Sequence, residues 1–292
     1  MYLGGSAFAR NPPEGPLEQK PSPISGAGLS LRECHFSQVI EKSPPVPWFE
    51  ILADNFLNRS PRQLRDLEQI RSDYPIVFHC VGMNLGSASP VDKSYLKQVK
   101  VFSEAFKPEW ISDHLCWTEI NGHFHHDLLP LPYTSKIISH VTDRIKTIQD
   151  FLGQEILIEN ISSYIRFKET EMNEWDFFKE VSVRSGALLL LDINNIYVNS
   201  VNHGFKPEDY LNHIPRNRVR QMHLAGFEKQ NEVLIDTHGH SVAPVVWNLY
   251  EKALEMLGSL PTCLERDNNL PNFENLLDEI KLIKARMEID HD

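Results

Sequence analysis

The segment ALLLLDINN (187–195) constrains the fold more than any other stretch of the chain. An apolar run this short and this unbroken, ending in an aspartate, reads as a strand buried on both faces. Strands of that kind belong to parallel sheets whose outer side is covered by helices. Seven further runs read as strands: GAGLSL (26–31), WFEIL (48–52), PIVFHCV (75–81), WISDHL (110–115), EILIENIS (155–162), VRQMHLAG (219–226) and TCLERD (262–267). Between most of them lie helical patterns, near 32–42, 60–72, 92–106, 134–153, 170–185, 242–258 and 272–288. Ser60-Pro61 reads as an N-cap with proline in the first turn, and Gly153 as the residue that ends a helix. Eight strands alternating with helices predict an α/β fold of the TIM (β/α)8 barrel type. A doubly wound open sheet is the competing layout, but no GxGxxG turn follows the first strand.

A chain of 292 residues fits one such barrel. The expected organisation is a Pro/Gly-rich arm over 1–25 and a single metal-binding barrel domain over 26–292. The formal charge of −11 argues against a nucleic-acid backbone or an anionic membrane as partner. No run has the length of a membrane span, and the first residues lack the apolar core of a signal peptide. Cys34, Cys80, Cys116 and Cys263 have no paired spacing, as expected of reduced thiols in a cytoplasmic protein.

In a barrel of this kind the active site sits at the C-terminal ends of the strands. Here those ends carry acids and imidazoles: His79, Asp113-His114, Glu159-Asn160, Asp192, His223 and Glu265. The stretch from Val219 to His240 adds Asp236, His238 and His240, which share one side if the segment is extended. Each residue alone has a structural reading, a hydrogen-bonded core histidine or a pair such as Glu159 or Glu265 with Arg166 or Arg266. Together they predict a metal site with more than one ion, because buried charges are costly unless paired or metal-bound. Cys80 and Cys116 read as packing residues. His123, His125 and His126 read as a solvated loop, with substrate contact as the alternative, and Tyr133, Tyr164 and Tyr197 as pocket or packing residues.

The motifs SDHLCW (112–117), LLPLPYT (128–134), ENISSY (159–164), LLDINNIYVN (190–199), HLAG (223–226), IDTHGH (235–240) and ERDNNLP (265–271) resemble the multinuclear non-haem iron-dependent oxidases. That group includes the iron oxidase of methanobactin biosynthesis. The likeness runs from about Gly26 to the last helix. It implies a xylose-isomerase-like barrel holding two or three irons. It also implies an enzyme that uses O2 to modify a residue, often cysteine, of a ribosomally made peptide presented by a partner protein. The ligands it implies are His79, His114, Glu159, Asp192, His223, Asp236, His238 and Glu265, with Glu159 as a bridging carboxylate. Glu159, Asp192, Asn195 and His240 are then the catalytic candidates, and Asp54, Asn160 and Asn194 the substrate-binding ones. Where the family pattern has an acidic-Asn pair led by Glu, this chain has Asp54.

The ligand order also resembles the trinuclear zinc endonuclease of the same barrel superfamily. That enzyme has a histidine where this chain has Asn195, and an amide is a poorer zinc ligand. A zinc or manganese hydrolase or isomerase, acting on a phosphodiester or a sugar, is therefore the alternative function. A non-enzymatic scaffold fits less well, because mixed histidine and carboxylate sets rarely form closed structural sites.

Overall fold

The run Leu188–Asp192 does lie in the wall of a closed parallel barrel. The structure, a computed structural model, describes residues 24–289 apart from 60 and 121–122. The expected N-terminal arm, save its last two residues, and the Ser60 cap lie outside the described residues. In chain order the elements are β1 (Ala27–Ser30), α1 (Phe36–Lys42), β2 (Phe49–Leu52), α2 (Pro61–Asp73), β3 (Ile76–Cys80), α3 (Lys93–Phe106) and β4 (Ile111–His114). Then come β5 (Trp117–Ile120), β6 (His123–Leu129), α4 (Ser135–Leu152), β7 (Leu157–Glu159), α5 (Glu174–Ser185) and β8 (Leu188–Asp192). The rest are α6 (Ile193–His203), α7 (Pro207–His213), β9 (Val219–Leu224), β10 (Glu228–Gln230), β11 (Val233–Ile235), α8 (Pro244–Leu257), β12 (Thr262–Leu264) and α9 (Phe273–Met287). The barrel order is β1-β12-β9-β8-β7-β4-β3-β2, closing on β1.

Local chemistry sets the helix ends. The Asp92 carboxylate accepts the N–H groups of Ser94 and Tyr95 to open α3, and Thr134 accepts that of Ile137 to open α4. Gly153 and Gly186 end α4 and α5 in the left-handed conformation. The main core lies between strand wall and helices, with Leu189, Leu191, Phe177, Phe178 and Ile158 among its buried members. The N-terminal mouth of the barrel is plugged by Trp48, Val77 and Cys263, with Trp110 edge-on to Trp48 at 6.4 Å. Gly28 leaves room for the Trp48 ring, since a Cβ there would overlap it.

Three differences from the sequence reading concern the site. The run expected as a strand to Ser162 stops at Glu159, and Asn160 leaves the ladder to hold its neighbour: its amide spans both the N–H and the carbonyl of Asp192. The strand expected to Asn195 stops at Asp192, whose Oδ1 accepts the Asn195 N–H and starts α6. The helices α6 and α7, unread in the sequence, fill the connection to β9. Their pattern is masked because Asn194, Asn195 and Asn199 are buried polar residues rather than a solvated face. The long connections after β4 and β9 form two antiparallel hairpins, β5-β6 and β10-β11, on the same end of the barrel as the strand termini. His123 and His125 are exposed on the first of these.

Gly226, just past β9, lies against the backbone of His240 and Ser241, which a Cβ would overlap. Because backbone and not a flexible side chain is in the way, Gly226→Ala should cost about 1–3 kcal/mol as an overpacking change. Urea denaturation of the two proteins would check this.

Candidate metal centre

Parallel register brings the acids and imidazoles together. His114 pairs with Glu159 across β4 and β7, and Asp192 with His223 across β8 and β9. Side chains alternate along a strand, so His79, His114, Glu159, Asp192 and His223 all turn inward at the same end. Glu265 enters from just beyond β12.

Glu159 occupies the middle. Its Oε2 lies 3.2 Å from His79 Nε2 and 3.3 Å from His114 Nε2, and its Oε1 lies 3.0 Å from His223 Nδ1. The same Nδ1 is 3.0 Å from Glu265 Oε2, which in turn is 3.3 Å from His238 Nδ1. His238 Nε2 reaches Asp236 Oδ1 at 2.7 Å and Asp192 Oδ2 at 3.8 Å. Among the described residues four subsets have ligand atoms within 4.8 Å of one another: His79, His114 and Glu159; Glu159, Asp192, His223 and Glu265; His238, Glu265 and Asp267; and, on the far side of His223, Glu50, His223 and Cys263.

These residues fit a metal. Asp192 Oδ2, Asn194 Oδ1 and Asn195 Oδ1 are buried without a hydrogen-bond partner, and Glu159 Oε2 and both His238 nitrogens meet only the ion-pair contacts just described, outside hydrogen-bond geometry. Leaving such atoms unsatisfied is costly, and their convergence is what cations would relieve. Nitrogen and carboxylate oxygen donors suit zinc, manganese or iron rather than a soft metal.

The surrounding side chains hold the donors in place. His79 Nδ1 lies 2.7 Å from Ser112 Oγ, whose hydroxyl is directed to the Phe78 carbonyl, so Nε2 faces the cluster. Asp236 accepts from Asn194 Nδ2 at 2.9 Å and from the Ser162 hydroxyl at 3.2 Å. On the far side of His223, Nε2 meets Glu50 Oε2 at 2.9 Å.

The expected site residues fall into three groups. His79, His114, Glu159, Asp192, His223, Asp236, His238 and Glu265 are brought together, and Asn195 sits beside Asp192 with its Nδ2 bonded to the Asn160 carbonyl. Asn160 has both amide atoms on Asp192 backbone, and Asn194 braces Asp236 through Nδ2 while its Oδ1 is buried without a hydrogen-bond partner. Asp54 accepts from Tyr95 and from the Val81 N–H, and lines a separate cavity of about 640 Å³ with Tyr95, Arg144 and Glu119. His240 is exposed and outside the cluster, because His238 takes φ +47° and breaks the extended alternation. Arg166 and Arg266 do not pair with the cluster; Arg266 pairs with Glu279 at 2.6 Å. Glu50, Gln221 and Asp267 were missed. For Glu50 the signal was present, a carboxylate inside the apolar run WFEIL.

Comparison with known proteins is decisive for the family. Residues 26–288 match the family described as RiPP precursor modification enzyme MbnB/TglH/ChrH, where RiPP denotes a ribosomally made, post-translationally modified peptide. The chain belongs to this family. A UPF0276 protein of Acaryochloris marina is 46% identical over 256 residues, covering 88% of this chain and 92% of the relative. One from Caulobacter vibrioides is 42% identical over 265 residues, covering 90% and 95%. Among solved structures, a xylose isomerase domain containing protein from Salmonella typhimurium aligns with TM-score 0.62 at 12% identity, over 91% of this chain and 99% of its own. Endonuclease IV from Thermus thermophilus aligns with TM-score 0.59 at 14% identity, over 92% and 100%. At such identities these two show the barrel fold and nothing of activity.

The electrostatics of this RiPP-modification barrel follow from its burial. Burial, with charged His114 nearby, pushes His79 well below the usual imidazole range. His114 is also opposed by burial, but Glu159, Asp113 and Glu265 outweigh it and raise it to about 9. His223 and His238 are raised well above their ordinary value against the same burial, by Glu50, Glu159 and Glu265 and by Asp236 and Glu265 respectively. Burial raises Asp192. An imidazole raised in the fold stabilises it below its unfolded pKa, and that contribution is lost as pH rises through the folded value. Metal-free protein should therefore melt at progressively lower temperature from pH 6.5 to about 9. Divalent metal affinity should rise over the same window, since ligation displaces those protons. Melting curves in chelator and with added manganese(II) would show the two opposite slopes.

Proposed function

We propose that this protein is an iron-dependent oxidase that uses O2 to modify a residue, cysteine above all, of a ribosomally made peptide. One observation carries the reading: the two oxygens of Glu159 face two different donor sets, His79 with His114 and His223 with Glu265. A carboxylate so placed suits a bridge between two ions. In this reading His79, His114 and Glu159 would hold one iron, and Glu159, Asp192, His223 and Glu265 would hold another. Asp236 and His238, with the Asn195 amide oxygen beside Asp192, offer a third position. Bound iron would supply the redox couple through which O2 accepts electrons from the peptide. The chain's part is to fix the ligand directions, through Ser112 behind His79 and Asn194 and Ser162 behind Asp236.

The peptide substrate follows from the family, and a protein that presents the peptide is the partner we expect. Nothing in the acidic charge of −11 favours nucleic acid. None of the described helices is long and apolar enough to cross a membrane. Four free cysteines suit the reducing cytoplasm in which we place the enzyme. A zinc- or manganese-dependent hydrolase or isomerase is the second reading, favoured only by a donor set that those metals also accept.

The test is co-expression with candidate cysteine-containing precursor peptides, sought among the neighbouring genes, followed by mass spectrometry of the peptide. A mass change that requires O2 and iron, and that falls at least 100-fold in His114→Ala, is the expected result. An unmodified peptide, together with cleavage of abasic DNA by zinc-loaded protein, would replace the oxidase with the hydrolase.

A further inference from the structure

Beneath the cluster lies a second polar layer that contacts no solvent. Glu50 on β2 is 0% exposed, as are Gln221 and Cys263. Glu50 Oε2 accepts from Gln221 Nε2 at 2.7 Å and lies 2.9 Å from His223 Nε2, while Oε1 faces the Cys263 thiol at 3.7 Å. The Gln221 amide cannot turn over: its Oε1 accepts the Trp110 indole N–H at 2.6 Å, so its NH2 points at the carboxylate. That nitrogen is also 2.8 Å from His223 Nε2, a contact between two donors once the ring N–H is directed at Glu50, so the carboxylate is the shared acceptor of both.

Glu50, His223 and Cys263 are close enough to form a ligand set of their own. The Gln221 amide argues against it, because a donor aimed between the carboxylate and the ring occupies the space a cation would take. The trio therefore works through hydrogen bonds. A buried carboxylate held by one neutral amide and one thiol costs several kcal/mol in desolvation, and an uncharged residue would fill the space at lower cost. Its strongest partner is the imidazole.

We infer that Glu50 is a positioning residue, which takes the Nε2–H of His223 and so turns the Nδ1 lone pair between Glu159 and Glu265. Gln221 and Trp110 hold Glu50 in that role, and the charge of Glu50 strengthens His223 as a donor to the metal. This rests on the metal-centre reading above.

The experiment is cobalt(II) titration of chelator-stripped protein, followed by visible absorption, for wild type, Glu50→Gln and Glu50→Leu. The expected result is a loss of roughly 10–100-fold in the affinity of one cobalt, with a shifted spectrum. The cobalt held by His79 and His114 should be unchanged. Glu50→Gln keeps the shape and removes the charge, so it decides the matter if Glu50→Leu does not fold. Variants that melt at lower temperature yet titrate like wild type would reduce Glu50 to a packing role and overturn the inference alone. Wild-type protein that takes up no cobalt would overturn the metal-centre reading, and this inference with it.

Discussion

Glu159 is 1% exposed, with imidazoles against both of its oxygens, and three further acids, Asp192, Glu265 and Glu50, lie buried around it. So much charge in a barrel interior is sustainable only if it is balanced. In the protein alone the balance comes from Arg32, 3.8 Å from Glu265, and from His114, His223 and His238, whose affinity for a proton the acids raise against the burial that opposes it. Metal ions would take over that task and release the imidazole protons. The barrel serves the same end, since eight parallel strands deliver their last inward side chains to a single point.

Much of this was legible in the sequence. The fold followed from the apolar runs, ALLLLD above all, because a strand buried on both faces leaves few alternatives to a helix-covered parallel sheet. The cluster followed from the fold, because acids and imidazoles at strand ends share one mouth. The residues misread are those whose local backbone departs from regular alternation. His240 was expected beside His238, but the left-handed turn at His238 sends it to solvent. Asn160 and Asn194, expected to meet substrate, brace Asp192 and Asp236 respectively, a task that only the folded backbone reveals. The helix α6 was hidden because its buried face carries asparagines in place of aliphatic residues. Glu50 escaped notice because a lone carboxylate within WFEIL has no visible partner until β9 and β2 are set across the barrel from each other.

The family and the fold say different things. Membership of the MbnB/TglH/ChrH family points to a peptide precursor as substrate. The solved barrels it resembles include sugar epimerases and an endonuclease, which share the architecture at 15% identity or less. One scaffold thus accommodates unrelated chemistries, and the choice among them lies in the ligand set and the metal it selects. The carboxylate between two donor sets is what favours a polynuclear centre.

Metal content measured by mass spectrometry, on protein purified without oxygen and beside a Glu159→Ala variant, tests that claim most directly. At least two irons per chain are expected in the wild type and one or fewer in the variant. Stoichiometric zinc without iron, retained when iron is supplied during expression, would contradict the oxidase; a metal content unchanged by Glu159→Ala would contradict the bridge.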